Sequence, residues 1–149
     1  MRGSIAIAVV ALCSVFAVSC ASFRSGAESN ELNELRSEIT VTVADAARRQ
    51  EMLKAVDRMV ASIDELSKVN QRQREQINAQ IRDYSTTRKA LETTLANGLK
   101  TQQAIIDNLT KAHYDFKSQA TAKEWKKLAK KEKKALAWFV QNLSEEGGA

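Results

Sequence analysis

A chain of 149 residues with 28% charged side chains, 5% aromatic ones and no proline is long enough for one domain and is composed for helices. Ala, Leu, Glu, Lys, Arg and Gln dominate its middle, and these residues lose least side-chain freedom in a helix. β-Branched and turn residues are too sparse for a sandwich or barrel, and Cys13 and Cys20 stand so close together that a disulfide between them would constrain nothing.

The first element is a short basic start, Met1-Arg2-Gly3-Ser4, followed over residues 5–16 by an almost unbroken apolar run. This is the pattern of a secretory signal. Crossing a bilayer takes about 20 apolar residues, and the run ends before that, ahead of Ser19 and Ser22, so an uncleaved anchor is the weaker reading. Cys13 reads as a small apolar residue inside the removed segment.

Residues Ala17-Val18-Ser19-Cys20 resemble the bacterial lipobox, an aliphatic residue and two small ones before a cysteine. The resemblance covers the signal region alone, and Ala17 stands where leucine is usual. It implies a signal peptide over 1–19 removed by signal peptidase II, with Cys20 as the lipid-attachment site carrying a diacylglyceryl group and an N-acyl chain of palmitate type. No other cofactor is implied. Ala21, in place of an aspartate, implies the outer membrane, facing the periplasm, if the source is Gram-negative. The alternative is a cut at Ala17-Val18-Ser19 by the ordinary signal peptidase, which would release a secreted protein.

Residues 20–30 are small and polar and read as a flexible tether. Ser29 or Asn30 is a plausible N-cap, with Glu31 and Glu34 in the first turn, where negative charge suits the helix dipole. From Leu32 a heptad frame runs without a phase shift to Phe116, one set of seam positions including Leu32, Ile39, Leu53, Val60 and Leu109, the other Leu35, Val56, Ile63, Ile105 and Ala112. The fold class is therefore all-α, with long heptad-bearing helices over 31–119 arranged as a coiled coil or a helical hairpin, and a basic amphipathic helix after them. A straight helix of that span would be roughly 125 Å long and could not bury its stripe alone. It must pair with copies of itself or fold back. Two places could fold: the polar stretch over 67–76, whose Asn70 and Arg74 read otherwise as a polar layer fixing register in a continuous coil, and Asn97-Gly98, which is the expected bend, since either residue accepts the left-handed conformation at a helix end.

The frame fails after Phe116, which puts a new helix over 120–143 and a frayed tail at 144–149. Its first half carries Lys123, Lys126, Lys127, Lys130, Lys131, Lys133 and Lys134 against Glu124 and Glu132, a net of +5, whereas the rest of the chain from Cys20 onward has a net of −1. With Trp125 and Trp138 on or near one face, these lysines form a candidate site for anionic surfaces. The opposing reading packs Trp125, Leu128, Leu136 and Phe139 onto the preceding helix and leaves the lysines as solvated charge.

No catalytic set emerges. His113 has no Cys or acidic neighbour at metal-ligand spacing and reads as a surface helix residue. Phosphate loops and nucleophile elbows are missing, so the chain is expected to be no enzyme. An exported chain whose basic excess is confined to one helix is also not expected to bind nucleic acid. The expected function is a lipid-anchored structural or interaction protein of the cell envelope, linking its membrane to another component. In architecture it resembles the murein lipoprotein class, which also places heptads after a lipidated cysteine. That class ends in a lysine joined to peptidoglycan, whereas this chain ends Gly147-Gly148-Ala149, so any peptidoglycan contact would be noncovalent. Partners implied are the membrane, further copies of the chain or other envelope proteins, and peptidoglycan or anionic lipid headgroups. The alternative function is a membrane-active module working through the Lys/Trp helix.

Overall fold

The computed structural model describes residues 29–145, and side chains as far as 141. The lipobox, the tether before Ser29 and the last four residues lie outside the described residues. Four helices follow one another, α1 (Asn30–Thr42), α2 (Ala46–Arg82), α3 (Arg88–Ser118) and α4 (Ala122–Glu145), and no strand occurs among the described residues. The protein is all-α.

Each helix starts where a short polar side chain meets its first free amides. Ser29 Oγ accepts from Leu32 N at 3.2 Å, Asp45 Oδ1 from Arg48 N at 2.8 Å and Thr87 Oγ1 from Ala90 N at 3.2 Å. At α4, Thr121 and Glu124 cap each other: Thr121 N donates to Glu124 Oε2 at 2.7 Å and Glu124 N to Thr121 Oγ1 at 3.3 Å.

Two of these breaks overturn the single long frame. The chain turns at residues 43–45 and again at 83–87, and it runs as unbroken helix both through 67–76 and through Asn97-Gly98, so neither expected fold point is a bend. At the second turn Asp83 Oδ1 accepts from both Ser85 N (2.9 Å) and Ser85 Oγ (2.8 Å), and Thr86 N donates to Asp83 O. Asp, Ser and Thr offer the backbone these local bonds in place of the helix ladder. Gly98 serves a different purpose. It faces α2, where a Cβ would overlap the Gln73 side-chain amide, and one turn on, Gln102 Nε2 donates to Gln73 Oε1 (2.7 Å) and Asn70 Oδ1 (2.9 Å). The glycine lets the helices close around a polar layer.

The helices run up, down, up, down. Arg36 pairs with Asp57 at 2.6 Å while Arg49 Nη1 donates to Val43 O, so α1 and α2 are antiparallel. On α4, Lys131 reaches Glu34 near the start of α1, and Glu124 lies at the opposite end of the body, beside Arg48 at the start of α2, so α4 is antiparallel to α1. The core joins Leu32, Leu35 and Ile39 of α1, Met52, Val56 and Ile63 of α2, Ala112 and Phe116 of α3, and Leu128, Ala135 and Phe139 of α4. The first half of α2 buries Met52, Ala55, Val56, Met59, Val60 and Ile63, a stripe wider than a two-in-seven seam because α2 meets neighbours on two sides.

α2 and α3 outrun this body. Over residues 64–104 no side chain is buried, so the second half of α2 and the first half of α3 form a two-helix arm, roughly 28 Å long at 1.5 Å per residue. At its tip Ile81 and Tyr84 stand in solvent, and Leu95 and Leu99 lie exposed along its side.

Candidate functional site

α4 sorts its charges by face. At 100° per residue, Leu128, Glu132, Ala135 and Phe139 fall on one side and are buried, while Lys123, Lys126, Lys127, Lys130 and Lys133 fall together on the other and are exposed. None of those five forms an ion pair among the described residues. Lys131 and Lys134 belong to a different group: they turn to α1, where Lys131 Nζ lies 3.0 Å and Lys134 Nζ 3.4 Å from Glu34 Oε2. Their hydrogen bonds, that of Lys131 foremost, hold the Glu34 carboxyl below its ordinary value.

The two acids in the described side chains of α4 are both withdrawn from the lysine face. Glu124 takes two bonds from the Arg48 guanidinium, at 2.8 and 3.1 Å, and Arg48 also donates to Gln119 O at 2.7 Å. The Arg48 bond first, and the Thr121 N–H second, bring the Glu124 carboxyl down to about 2. One guanidinium thus ties the start of α2, the end of α3 and the start of α4.

Glu132 is only 4% exposed. Burial pushes its carboxyl above the ordinary range, opposed by the His113 hydrogen bond and by Lys117. His113 Nδ1 lies 2.7 Å from Glu132 Oε1, and the ring meets Tyr114 and Trp125 edge-on. The expectation that His113 is an unengaged surface residue is therefore corrected: a partner nineteen positions along the chain, on the next helix, holds it at the α3–α4 seam.

Trp125 lies on the buried side of α4, and Trp138, at the edge of the lysine face, packs against the core as well. Trp125 packs edge-to-face on Phe116 at 6.1 Å, beneath Lys117 Nζ, and half-buried Trp138 packs on Phe139 at 5.1 Å. Aromatic area is better buried in the body than left beside solvated ammonium groups, so the stripe is an electrostatic surface without an aromatic wedge. The cavity beneath α4, lined by Leu32, Leu35, Met59, Ile63, Glu132 and Phe139 among others, holds about 10 Å³, room for one water and no substrate. Among the described residues no group of three or more His, Cys, Asp and Glu is placed to hold a metal ion. No described helix is long and apolar enough to cross a membrane. Comparisons of the chain with protein-family models, curated proteins and solved structures return no match.

Proposed function

We propose that the chain is a lipid-anchored, non-enzymatic interaction protein of a bacterial envelope, tethered through Cys20 and presenting the α4 lysine stripe to an anionic partner surface. If the source is Gram-negative, the anchoring membrane is the outer one. The observation that carries the reading is the sorting of α4: five exposed lysines on one face, with Glu124 and Glu132 turned into the body. A charge run that served only for solubility would have no need to remove its acids to the other side.

The stripe supports contact in preference to insertion. Lysine attracts phosphate and carboxylate as a point charge, whereas insertion needs an apolar face, and that face of α4 is committed to the core. The stripe runs along the flank of the body. Lys123 lies beside the loops opposite the tether, next to Glu124 and Arg48, whereas Lys130 and Lys133 lie level with Lys131 and Lys134, which pair with Glu34 near the start of α1, where the tether joins. A protein so arranged can hold its own membrane through the tether and present its side to an anionic layer, headgroup or peptidoglycan carboxylate.

The test is binding of the chain lacking residues 1–20 to phosphatidylglycerol vesicles and to isolated peptidoglycan across a salt series. Binding to one of them that weakens with salt is the expected result. Near an anionic surface each lysine contributes about 1 kcal/mol, so changing Lys123, Lys126, Lys127, Lys130 and Lys133 together to Gln should weaken binding more than about 100-fold. Binding indifferent to salt, or unchanged in that variant, would contradict the proposal.

A further inference from the structure

We infer that the tip of the α2–α3 arm is a second contact with the membrane that holds Cys20, docking Ile81 and Tyr84 at the lipid headgroup interface; this rests on the reading of Cys20 as the anchor. Because α1 and α2 are antiparallel, Leu32 and Leu35 at the start of α1 share a cavity wall with Met59, Val60 and Ile63, the root of the arm. The arm therefore leaves the body at the end where the tether joins it, and points away from the loops at 43–45 and 119–121.

Reach comes next. From Cys20 to Asn30 the chain can extend at most about 35 Å, and the arm projects roughly 28 Å. A bilayer close enough to hold the lipid on Cys20 is close enough for the tip to touch. An arm emerging from the opposite end of the body would have had no such access.

The tip itself has the composition of an interface residue set. Ile81 is 68% exposed and Tyr84 is fully exposed, and neither belongs to the core. Tyrosine suits the headgroup level, where its ring meets acyl chains and its hydroxyl meets water. Arg82 and Lys89 are exposed beside them, while the neighbouring acids are engaged locally, Asp83 by Ser85 and Glu92 by Arg88 at 2.7 Å. Asp83's bonds to Ser85 shape the turn on which Tyr84 projects. Two side chains alone bind weakly, but the lipid makes their encounter intramolecular, at an effective concentration in the millimolar range. The contact sets the orientation of the body, and the lipid keeps the protein on the membrane.

Trypsin reads this contact through residues already present at the tip, Arg82, Arg88 and Lys89. The lipidated protein is held on vesicles of phosphatidylethanolamine and phosphatidylglycerol, and the rate of tip cleavage is compared with that of a variant carrying Ile81→Ser and Tyr84→Ser. The expected result is cleavage of the native tip at least about tenfold slower than the variant, with both proteins remaining on the vesicles. Equal rates while both remain bound would overturn the inference and leave the tip to a protein partner or a second copy. The anchor reading fails separately, by mass measurement showing no lipid on Cys20. In that event coupling the Cys20 thiol to a maleimide lipid restores the same attachment point, and the same comparison of rates decides the tip contact on its own.

Discussion

Phe116→Ala should lower the free energy of unfolding by about 3–5 kcal/mol, and Leu95→Ala by less than about 1 kcal/mol. Both positions lie on the heptad seam, so a uniform two-helix rod would charge them alike. The structure does not. Phe116 is completely buried between Ala112, Trp125 and the core of the body, whereas Leu95 is 40% exposed on the arm. Truncating the phenylalanine removes its transfer free energy and leaves a void that four helices cannot close. Truncating the leucine leaves a shallow dent in water. Urea unfolding of the chain lacking residues 1–20 measures both, and equal losses would contradict the division into body and arm.

His113→Ala should cost about 2 kcal/mol at pH 7, less than the 3–5 kcal/mol of a fully enclosed pair because the imidazole is one-third exposed. The loss comes chiefly from what stays behind: the Glu132 carboxyl, buried on the inner face of α4 and without its hydrogen-bond partner. Its pH dependence identifies it. Burial already raises the Glu132 carboxyl, and removing His113, which lowers it, raises it further. A raised carboxyl contributes its stability below the ordinary value of 4.5 and loses it as pH climbs through the folded value. The variant should therefore approach the native protein as pH falls toward 4.5 and diverge from it toward pH 7. Adding Glu132→Gln should recover most of the loss at pH 7, because a neutral amide has no charge to desolvate. A deficit that stays constant with pH, or that the second change leaves untouched, would assign the effect to ring packing alone.

Local signals were legible where one residue type has one physical use. Ser29 caps α1, a new helix begins close to where the heptad frame fails, and Leu32, Leu35, Ile39, Val56, Val60, Ile63, Ala112 and Phe116 are buried as their spacing implies. The turn at 83–87 was not legible. It contains neither glycine nor proline, and the frame crosses it without a phase shift, so Arg74, Ile81, Tyr84 and Arg88 read as seam positions although they are exposed. Asn97-Gly98 misled for the complementary reason: a glycine also serves close approach between helices, and only the facing residue, Gln73, tells the two uses apart. The candidate site was visible as composition and hidden as pairing. Which lysines turn to Glu34, and that Arg48 would claim Glu124 from 76 positions away, depends on how α1, α2 and α4 meet. Met52 and Met59 were hidden too, since a stripe that serves two neighbours needs the second neighbour to be known.

The proposed function depends on Cys20 more than on any other residue. Each buried methylene contributes about 0.8 kcal/mol, so one acyl chain binds reversibly and two or three hold the protein on its membrane. The direct measurement is incorporation of radioactive palmitate by the full chain expressed in a bacterium that processes lipoproteins, beside Cys20→Ala. The account predicts label and membrane fractionation for the native chain, with both lost in the variant. An unlabelled native protein, or label that persists without Cys20, would contradict it.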